Sequence, residues 1–387
     1  MSLSSIYASA RLLISVIQNI DVIVLTDFSG NPIIAHIAAV ARQKSGNSAA
    51  FPTRQTRQNK MEIFIRPLER TLSVAAGANL LDVLRENDVP VSYSCLAGRC
   101  GTCRCKVVGG QVLESGREAQ RPLSAEDQFV LACQTFLTES CIVEIPEPDE
   151  VVVHTAKIVK ATVVAVEDQT HDIKRIRLKP AKPIEFSPGQ YAQVQFTPDH
   201  IRPYSMAGLC ADGELEFHVR LVADGRVTGY IANTLKVGDA VRVSGPLGSA
   251  YLRRKHEGPM LCVAGGTGLA PILSIIRGAI AEGMQNCIHL YFGVRSERDI
   301  YGREWLAELQ RQHPQLHVHV VVASGQAPGC RTGLVTEAIA QDWSSVEGFR
   351  AYLCGAPPMV EATTLLVRQM GVLPEQIYAD AFYASGT

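Results

Sequence analysis

The chain has 387 residues, with 37 basic and 38 acidic side chains and a formal net charge of −1. Such a length leaves room for two or three domains with separate cores. The charge balance gives no electrostatic case for nucleic acid or an anionic membrane, and the most apolar stretch, Leu12 to Thr26, is broken by Gln18, Asn19 and Asp21, so no membrane span is expected.

Residues 1–60 differ in character from the remainder of the chain. Ala41 to Lys60 contains no acidic residue, while Arg42, Lys44, Arg54, Arg57 and Lys60 sit among Ser, Asn and Gln, the composition of a basic tail without a core. A targeting peptide is disfavoured, because the apolar stretch lacks a charged leader and a small-residue cleavage site. The fold is expected to open at Met61, where Met61-Glu62-Ile63-Phe64-Ile65-Arg66 alternates like a strand, leaving 1–60 as an extension without structure.

Residues 61–150 fit a small α+β unit. It comprises two short strands, a helix from about Asn79 to Glu86, a glycine-rich loop, a strand turning at Gly109-Gly110, and a second helix opened by the capping pattern Ser124-Ala125-Glu126-Asp127. The loop places Cys95, Cys100 and Cys103 in the spacing C-x4-C-x2-C, and Cys133 stands alone further on in Leu131-Ala132-Cys133-Gln134. This spacing matches the plant-type [2Fe-2S] pattern. Thiolates suit such a cluster, and Gly98, Arg99, Gly101 and Thr102 can aim backbone N–H groups at its sulfurs. A four-cysteine zinc site is the competing reading, although structural zinc usually draws its ligands from two short cysteine pairs. Inert buried thiols and a disulfide fit less well. Cys105 falls in an alternating strand and reads as packing. Eleven cysteines, an odd count in a long chain, suit a reducing cytoplasm better than an oxidised scaffold. Pro146-Glu147-Pro148-Asp149-Glu150 cannot continue a strand ladder and marks a domain boundary.

Residues 151–255 carry apolar residues at period two, as in Tyr191-Ala192-Gln193-Val194-Gln195-Phe196 and Glu214-Leu215-Glu216-Phe217-His218-Val219, the pattern of an antiparallel β-barrel. Arg202-Pro203-Tyr204-Ser205 falls between two of these strands. An arginine can grip a phosphate, a tyrosine can stack on a flat ring and a serine can hydrogen-bond a ring heteroatom, which are demands of a flavin. A strand edge with a surface arginine is the plain alternative.

Residues 256–387 alternate apolar strands with helical patterns, at Met260 to Ala264, Ile288 to Val294, His317 to Ala323, Ala351 to Cys354 and Gln376 to Ala379. That is the signature of a doubly wound parallel sheet in an α/β domain. After its first strand comes Ala264-Gly265-Gly266-Thr267-Gly268-Leu269-Ala270-Pro271, a loop able to set N–H groups and a helix N-terminus against a pyrophosphate. Pro271 stands where a dinucleotide fingerprint has its third glycine, so a tight turn without a ligand stays open. His317 and His319 share a strand face and could ligate a metal, but no carboxylate or cysteine with ligand spacing accompanies them, and they read as structural. No nucleophile-elbow pattern supports hydrolase chemistry.

The ferredoxin-type loop, then Arg202-Pro203-Tyr204-Ser205-Met206-Ala207-Gly208, then Ser244-Gly245-Pro246-Leu247-Gly248, the glycine loop, Cys354-Gly355-Ala356-Pro357 and Tyr378-Ala379-Asp380-Ala381-Phe382-Tyr383 succeed one another in a familiar order. From Met61 onward the chain resembles the flavin-containing reductases of bacterial oxygenases, most of all the ferredoxin reductase components of naphthalene-type ring-hydroxylating dioxygenase systems. The resemblance implies that Cys95, Cys100, Cys103 and Cys133 hold a [2Fe-2S] cluster. It implies that Arg202, Tyr204 and Ser205 contact FAD, with Gly225, Val227 and Thr228 at its phosphates and Phe382 beside the flavin. Gly266, Thr267 and Gly268 would line the NAD(P)H site, with Cys354 and Gly355 near the nicotinamide. Tyr204, Ser205 and Cys354 are thereby the catalytic candidates. Electrons would pass from NAD(P)H through FAD and the cluster to a Rieske-type ferredoxin and on to a terminal oxygenase. Feeding a monooxygenase or aromatic hydroxylase directly is the alternative, and a zinc-stabilised nucleotide-binding module without redox activity a more distant one. Val294 to Asp299 carries both charge signs, which leaves the choice between NADH, the favoured coenzyme, and NADPH open.

Overall fold

The computed structural model describes residues 60–91, 93, 103–114, 129–145, 154 and 156–383. The expectations for residues 1–59, for Cys95, Cys100 and their neighbouring N–H groups, for the helix at Ser124 and for the linker at Pro146 lie outside the described residues.

Alternation in the first stretch does produce a strand, β1 (Lys60–Arg66), whose Ile63 and Ile65 are fully buried. Burial of each such side chain is worth roughly 1.5–3 kcal/mol. The strand starts at Lys60 rather than Met61, because Lys60 pairs with Ala75 at the end of β2 (Arg70–Ala75). Asn79 caps α1 (Leu80–Glu86), its side-chain oxygen accepting from the N–H groups of Leu81 and Asp82, while Leu80, Leu81, Val83 and Leu84 face the core. Next come β3 (Arg104–Gly109), β4 (Val112–Glu114), β5 (Phe129–Leu131), β6 (Thr135–Leu137) and β7 (Cys141–Glu144). The larger sheet has the order β2-β1-β7-β3-β5, and β4 pairs with β6. Gly110, at φ +78, makes the turn after β3 expected at Gly109-Gly110, and a Cβ there would crowd the Ser140 carbonyl. Cys105 packs in this core, as its strand position implied; burial pushes its thiol up to about 12.

The period-two region forms β8 (Lys157–Asp168), β9 (Ile173–Pro180), β10 (Tyr191–Thr197), β11 (His200–Ser205), β12 (Leu215–Arg220), α2 (Arg226–Asn233) and β13 (Ala240–Leu247). The strands pair antiparallel in the order β11-β10-β13-β8-β9-β12. A bridge between Met206 and Phe217 brings the end of β11 back to β12, which closes the sheet into a barrel around Val163, Ile176, Val194, Phe217 and Val243.

Beyond it, β14 (Met260–Gly265), α3 (Leu269–Ala281), β15 (Ile288–Val294), α4 (Arg303–Gln312), β16 (Leu316–Val322), β17 (Arg331–Thr332), α5 (Val335–Asp342), β18 (Arg350–Gly355), α6 (Pro357–Gln369) and β19 (Ile377–Ala381) build a parallel sheet of order β17-β16-β15-β14-β18-β19. Alternate residues of β14 serve two cores. Met260, Cys262 and Ala264 face α3 and α4, whereas Leu261 and Val263 face α5 and α6, so the strand reads as a continuous apolar run.

Bonds joining barrel and parallel sheet include one buried hydrogen bond and one partly exposed ion pair. The Ser274 hydroxyl on α3 donates to the Gly208 carbonyl at 2.7 Å, and the Arg277 guanidinium grips both oxygens of Asp212 at 2.9 and 2.7 Å. Gly278 lets α3 close against Pro188, where a Cβ would fall 2.6 Å from the proline ring.

Candidate functional site

The chain leaves β14 towards β15 and β16, then returns to β18 and β19 on the other side, so a topological switch point lies between β14 and β18. Open α/β sheets offer a ligand crevice at the carboxyl ends of such strands. There β14 runs into a 3-10 turn, Gly266–Gly268, and directly on into α3. Gly266 holds φ +55 with the Arg220 guanidinium 3.2 Å from where a Cβ would stand. A Cβ on Gly268 would run into the carbonyl oxygen of Cys354, and Gly355, at φ +147, lies on the backbone of Gly265. Two strand ends thus meet backbone to backbone, a contact only glycine permits. Half-buried Thr267 sits between the two glycines.

A hydrogen-bond chain reaches this loop from the barrel. Glu216 Oε1 lies 3.0 Å from His218 Nε2, His218 Nδ1 lies 3.0 Å from Tyr301 Oη, and the Tyr301 hydroxyl donates to the Gly266 carbonyl at 3.5 Å. Burial alone would raise the Glu216 carboxyl, but hydrogen bonds from His218 and Arg175 outweigh it and bring it down to about 2.

Cys354, the last core residue of β18, is fully buried, and burial followed by the charge of Asp380 pushes its thiol well above the usual range. Strand pairing sets Cys354 beside Asp380 of β19. From the barrel, the Ser205 hydroxyl at the end of β11 donates to Asp380 Oδ2 at 3.2 Å. Burial lifts the Asp380 carboxyl to about 6, with the Ser205 hydrogen bond pulling the other way. Next to Ser205, Tyr204 packs edge-on against Phe196 and Phe217, at ring separations of 6.2 and 6.5 Å. Among the described residues its buried hydroxyl has no hydrogen-bond partner. Leaving such a group unsatisfied costs about 1–3 kcal/mol.

Cys103 and Cys133 come together from positions 30 apart. The Cys133 N–H donates to Cys103 Sγ at 3.4 Å, and Gln134 Nε2 lies 3.7 Å from Cys133 Sγ. Asn79, besides capping α1, donates to the Cys133 carbonyl at 3.1 Å and so ties the helix to this turn. N–H donors aimed at cysteine sulfur are what cluster-bearing thiolates require.

The sequence matches three domain families: a 2Fe-2S iron-sulfur cluster binding domain over residues 63–138, an oxidoreductase FAD-binding domain over 160–251 and an oxidoreductase NAD-binding domain over 262–364. It is 60% identical over 327 residues, 84% of this chain and all of the relative, to the reductase component of the naphthalene 1,2-dioxygenase/salicylate 5-hydroxylase systems of Ralstonia sp. The chain belongs to the ferredoxin–NAD(P)+ reductase components of oxygenase systems. The reductase component of the Pseudomonas putida naphthalene 1,2-dioxygenase system is 58% identical over the same share of both chains. Among solved structures, an Amycolatopsis cytochrome P450 reductase superposes with a TM-score of 0.63 at 31% identity, covering 83% of this chain and 98% of its own. The ferredoxin reductase in carbazole 1,9a-dioxygenase superposes with 0.57 at 27% identity, covering 84% and 98%. This reductase is therefore an oxidoreductase with domains for a [2Fe-2S] cluster, FAD and NAD, and the zinc module is set aside.

The residues present fit those groups. The Tyr204 hydroxyl is a buried donor awaiting an acceptor such as a flavin would bring, and Ser205 adjoins it. Arg202 is partly exposed on β11, with Nη1 donating to the Ile201 carbonyl at 3.0 Å. Gly225 is the N-cap of α2 and provides no side-chain acceptor, which turns that helix end over to its backbone N–H groups. Val227 buries its side chain in the barrel core, so only its N–H can face a phosphate. The Thr228 hydroxyl bonds back to the carbonyls of Val222 and Gly225 and shapes its own loop. Phe382 stands partly buried just past β19, its N–H donating to the Gly355 carbonyl at 2.8 Å.

Asp380 was missed by the sequence reading, although it meets both Ser205 and Cys354. Its signal was a lone carboxylate in an otherwise apolar final strand. Likewise His218 and Tyr301, which hold the glycine loop, have no motif of their own; each is placed by pairing between distant segments.

Proposed function

We propose that this reductase takes hydride from NADH, or less readily NADPH, and delivers single electrons to a Rieske-type ferredoxin of an aromatic ring-hydroxylating dioxygenase system. The observation that carries the reading is the meeting of Cys354, Asp380 and Ser205 at the switch point, beside the unsatisfied Tyr204 hydroxyl. When bound, FAD accepts two electrons together and releases them one at a time, which matches nicotinamide to a one-electron cluster.

Each residue then has a task. Gly266, Thr267 and Gly268 bring backbone N–H groups and the start of α3 to the dinucleotide. Cys354 and Gly355 would back the nicotinamide site, where the enclosed, neutral thiol would add no charge. Ser205 and Asp380 offer a hydroxyl and a carboxyl that exchange a hydrogen bond at the reacting edge. Tyr204 positions the flavin ring, while Arg202 and the N-terminus of α2, through Gly225, Val227 and Thr228, take its phosphates. Phe382 covers the ring. Cys95, Cys100, Cys103 and Cys133 hold the cluster. We further propose domains at 61–150, 151–255 and 256–387.

No helix among the described residues is long and apolar enough to cross a membrane. No disulfide joins the described cysteines, which favours a reducing cytoplasm.

The acceptor is tested by reconstitution. Anaerobically NADH-reduced protein is mixed in turn with a Rieske-type ferredoxin and with a diiron hydroxylase lacking its own reductase. Fast reduction of the ferredoxin and slow reduction of the hydroxylase are expected; the reverse order would overturn this choice of acceptor.

A further inference from the structure

Within the parallel sheet, β15 and β16 pair in register so that His289 lies opposite His317. Cys287, two residues before His289, projects to the same face by the period of a strand. The cysteine that His317 lacked in the sequence is thus supplied by the neighbouring strand. Cys287 Sγ stands 3.2 Å from His289 Nε2, and the three ligand atoms of Cys287, His289 and His317 all lie within 4.8 Å of one another. Tetrahedral zinc with bonds of about 2.0–2.3 Å needs its donors roughly 3.3–3.8 Å apart. The Sγ–Nε2 pair, at 3.2 Å, stands just inside that separation, and His317, the exposed member, stacks on the His289 ring at 4.9 Å and has to turn out of that stack to bring its nitrogen into the set.

We propose that Cys287, His289 and His317 form a binding site for one late first-row divalent cation, with Zn2+ the ion that suits the donors best. One thiolate and two imidazoles are the donor types zinc prefers, and three protein ligands leave a fourth position for water on the exposed side. The wall behind is apolar: the Trp343 ring stands edge-on to His289 at 4.8 Å, with Phe349 at 6.1 Å. His319 does not join the set, since it stacks on Tyr291 at 4.6 Å instead.

The position separates this site from the redox chemistry. Cys287, His289 and His317 lie at the amino ends of β15 and β16, whereas the glycine loop and Cys354 lie at the carboxyl ends of β14 and β18. A bound cation would staple the entry of two adjacent strands and raise the melting temperature of the protein.

Untagged holoprotein is titrated with Zn2+ by calorimetry, and the singly loaded protein is examined at the zinc X-ray absorption edge. One site is expected, with one sulfur at about 2.3 Å and the other donors nitrogen or oxygen at about 2.0–2.1 Å. Cys287→Ser and His317→Ala should each weaken binding at least about tenfold, while NADH-driven ferricyanide reduction stays unchanged. Should Cys287→Ser accumulate poorly, His317→Ala, at an exposed position, carries the test alone. Equal affinity in the variants, a four-sulfur signature from zinc seated in the cluster cysteines, or no binding in excess Zn2+ would each overturn the proposal.

Discussion

Cys354 and Cys287 belong to one parallel sheet, on strands separated only by β14, yet their surroundings give them opposite chemistry. Cys354 sits at a carboxyl end, wholly enclosed, with glycine backbones pressed against it and an acid as its pair across the sheet. Cys287 precedes the amino end of β15, half-exposed, with an imidazole nitrogen 3.2 Å from its sulfur. Burial raises both thiols, so what separates them is their neighbours: the first packs among backbones, whereas the second has beside it the imidazole that a shared ligand site needs. The direction of the strands makes this difference, because the carboxyl end collects the glycine turns that admit a cofactor.

The comparison breaks most severely if the enclosure of Cys354 is opened. Gly268→Ala places a methyl group on the Cys354 carbonyl oxygen, and loss of at least about 100-fold in NADH-driven ferricyanide reduction is expected from the misplaced loop. Steady-state kinetics on the purified variant check it. Next in size, Cys354→Ala should slow flavin bleaching by NADH about 10- to 100-fold in stopped flow, while Cys287→Ala leaves it unchanged. Equal effects from both would erase the distinction between the two ends of the sheet.

Asp380 sharpens the comparison through pH. Its carboxyl is raised to about 6, so between its unfolded value and that pH the folded protein binds more protons than the unfolded one. Stability therefore falls as pH rises from about 4 to about 6, and above that the ionised group keeps a penalty of order 3 kcal/mol. Asp380→Asn should flatten that decline in melting temperature between about pH 4 and 7. A variant that declines as steeply as the parent would show that Asp380 is not the group responsible.

Smallest is Tyr204→Phe. Because the hydroxyl has no partner among the described residues, the apoprotein should lose no stability, whereas FAD affinity should fall about fivefold, the worth of about 1 kcal/mol for one hydrogen bond. Fluorescence titration of the apoprotein with FAD measures it.

The same contrast explains which features the sequence disclosed. Local signals were sufficient where one stretch does the work: alternation gave the strands, Asn79 marked the helix start, and the glycine run marked the loop after β14. Pairing between strands was not legible. Asp380 meets Cys354 through the register of β18 with β19, and Cys287 meets His317 through that of β15 with β16. Nor does a motif state which of its atoms face outward. Val227 and Thr228 share a stretch proposed to bind phosphate, yet one side chain fills the core and the other hydroxyl closes its own loop.

The central claim is the passage of electrons from NADH to the cluster within this one chain. Anaerobic titration of the holoprotein with NADH, monitored at once by visible absorbance and low-temperature EPR, tests it most directly. Flavin absorbance is expected to bleach and the EPR signal of a reduced [2Fe-2S] cluster to grow with it. Bleached flavin beside a cluster that iron analysis finds intact but that stays EPR-silent would contradict it.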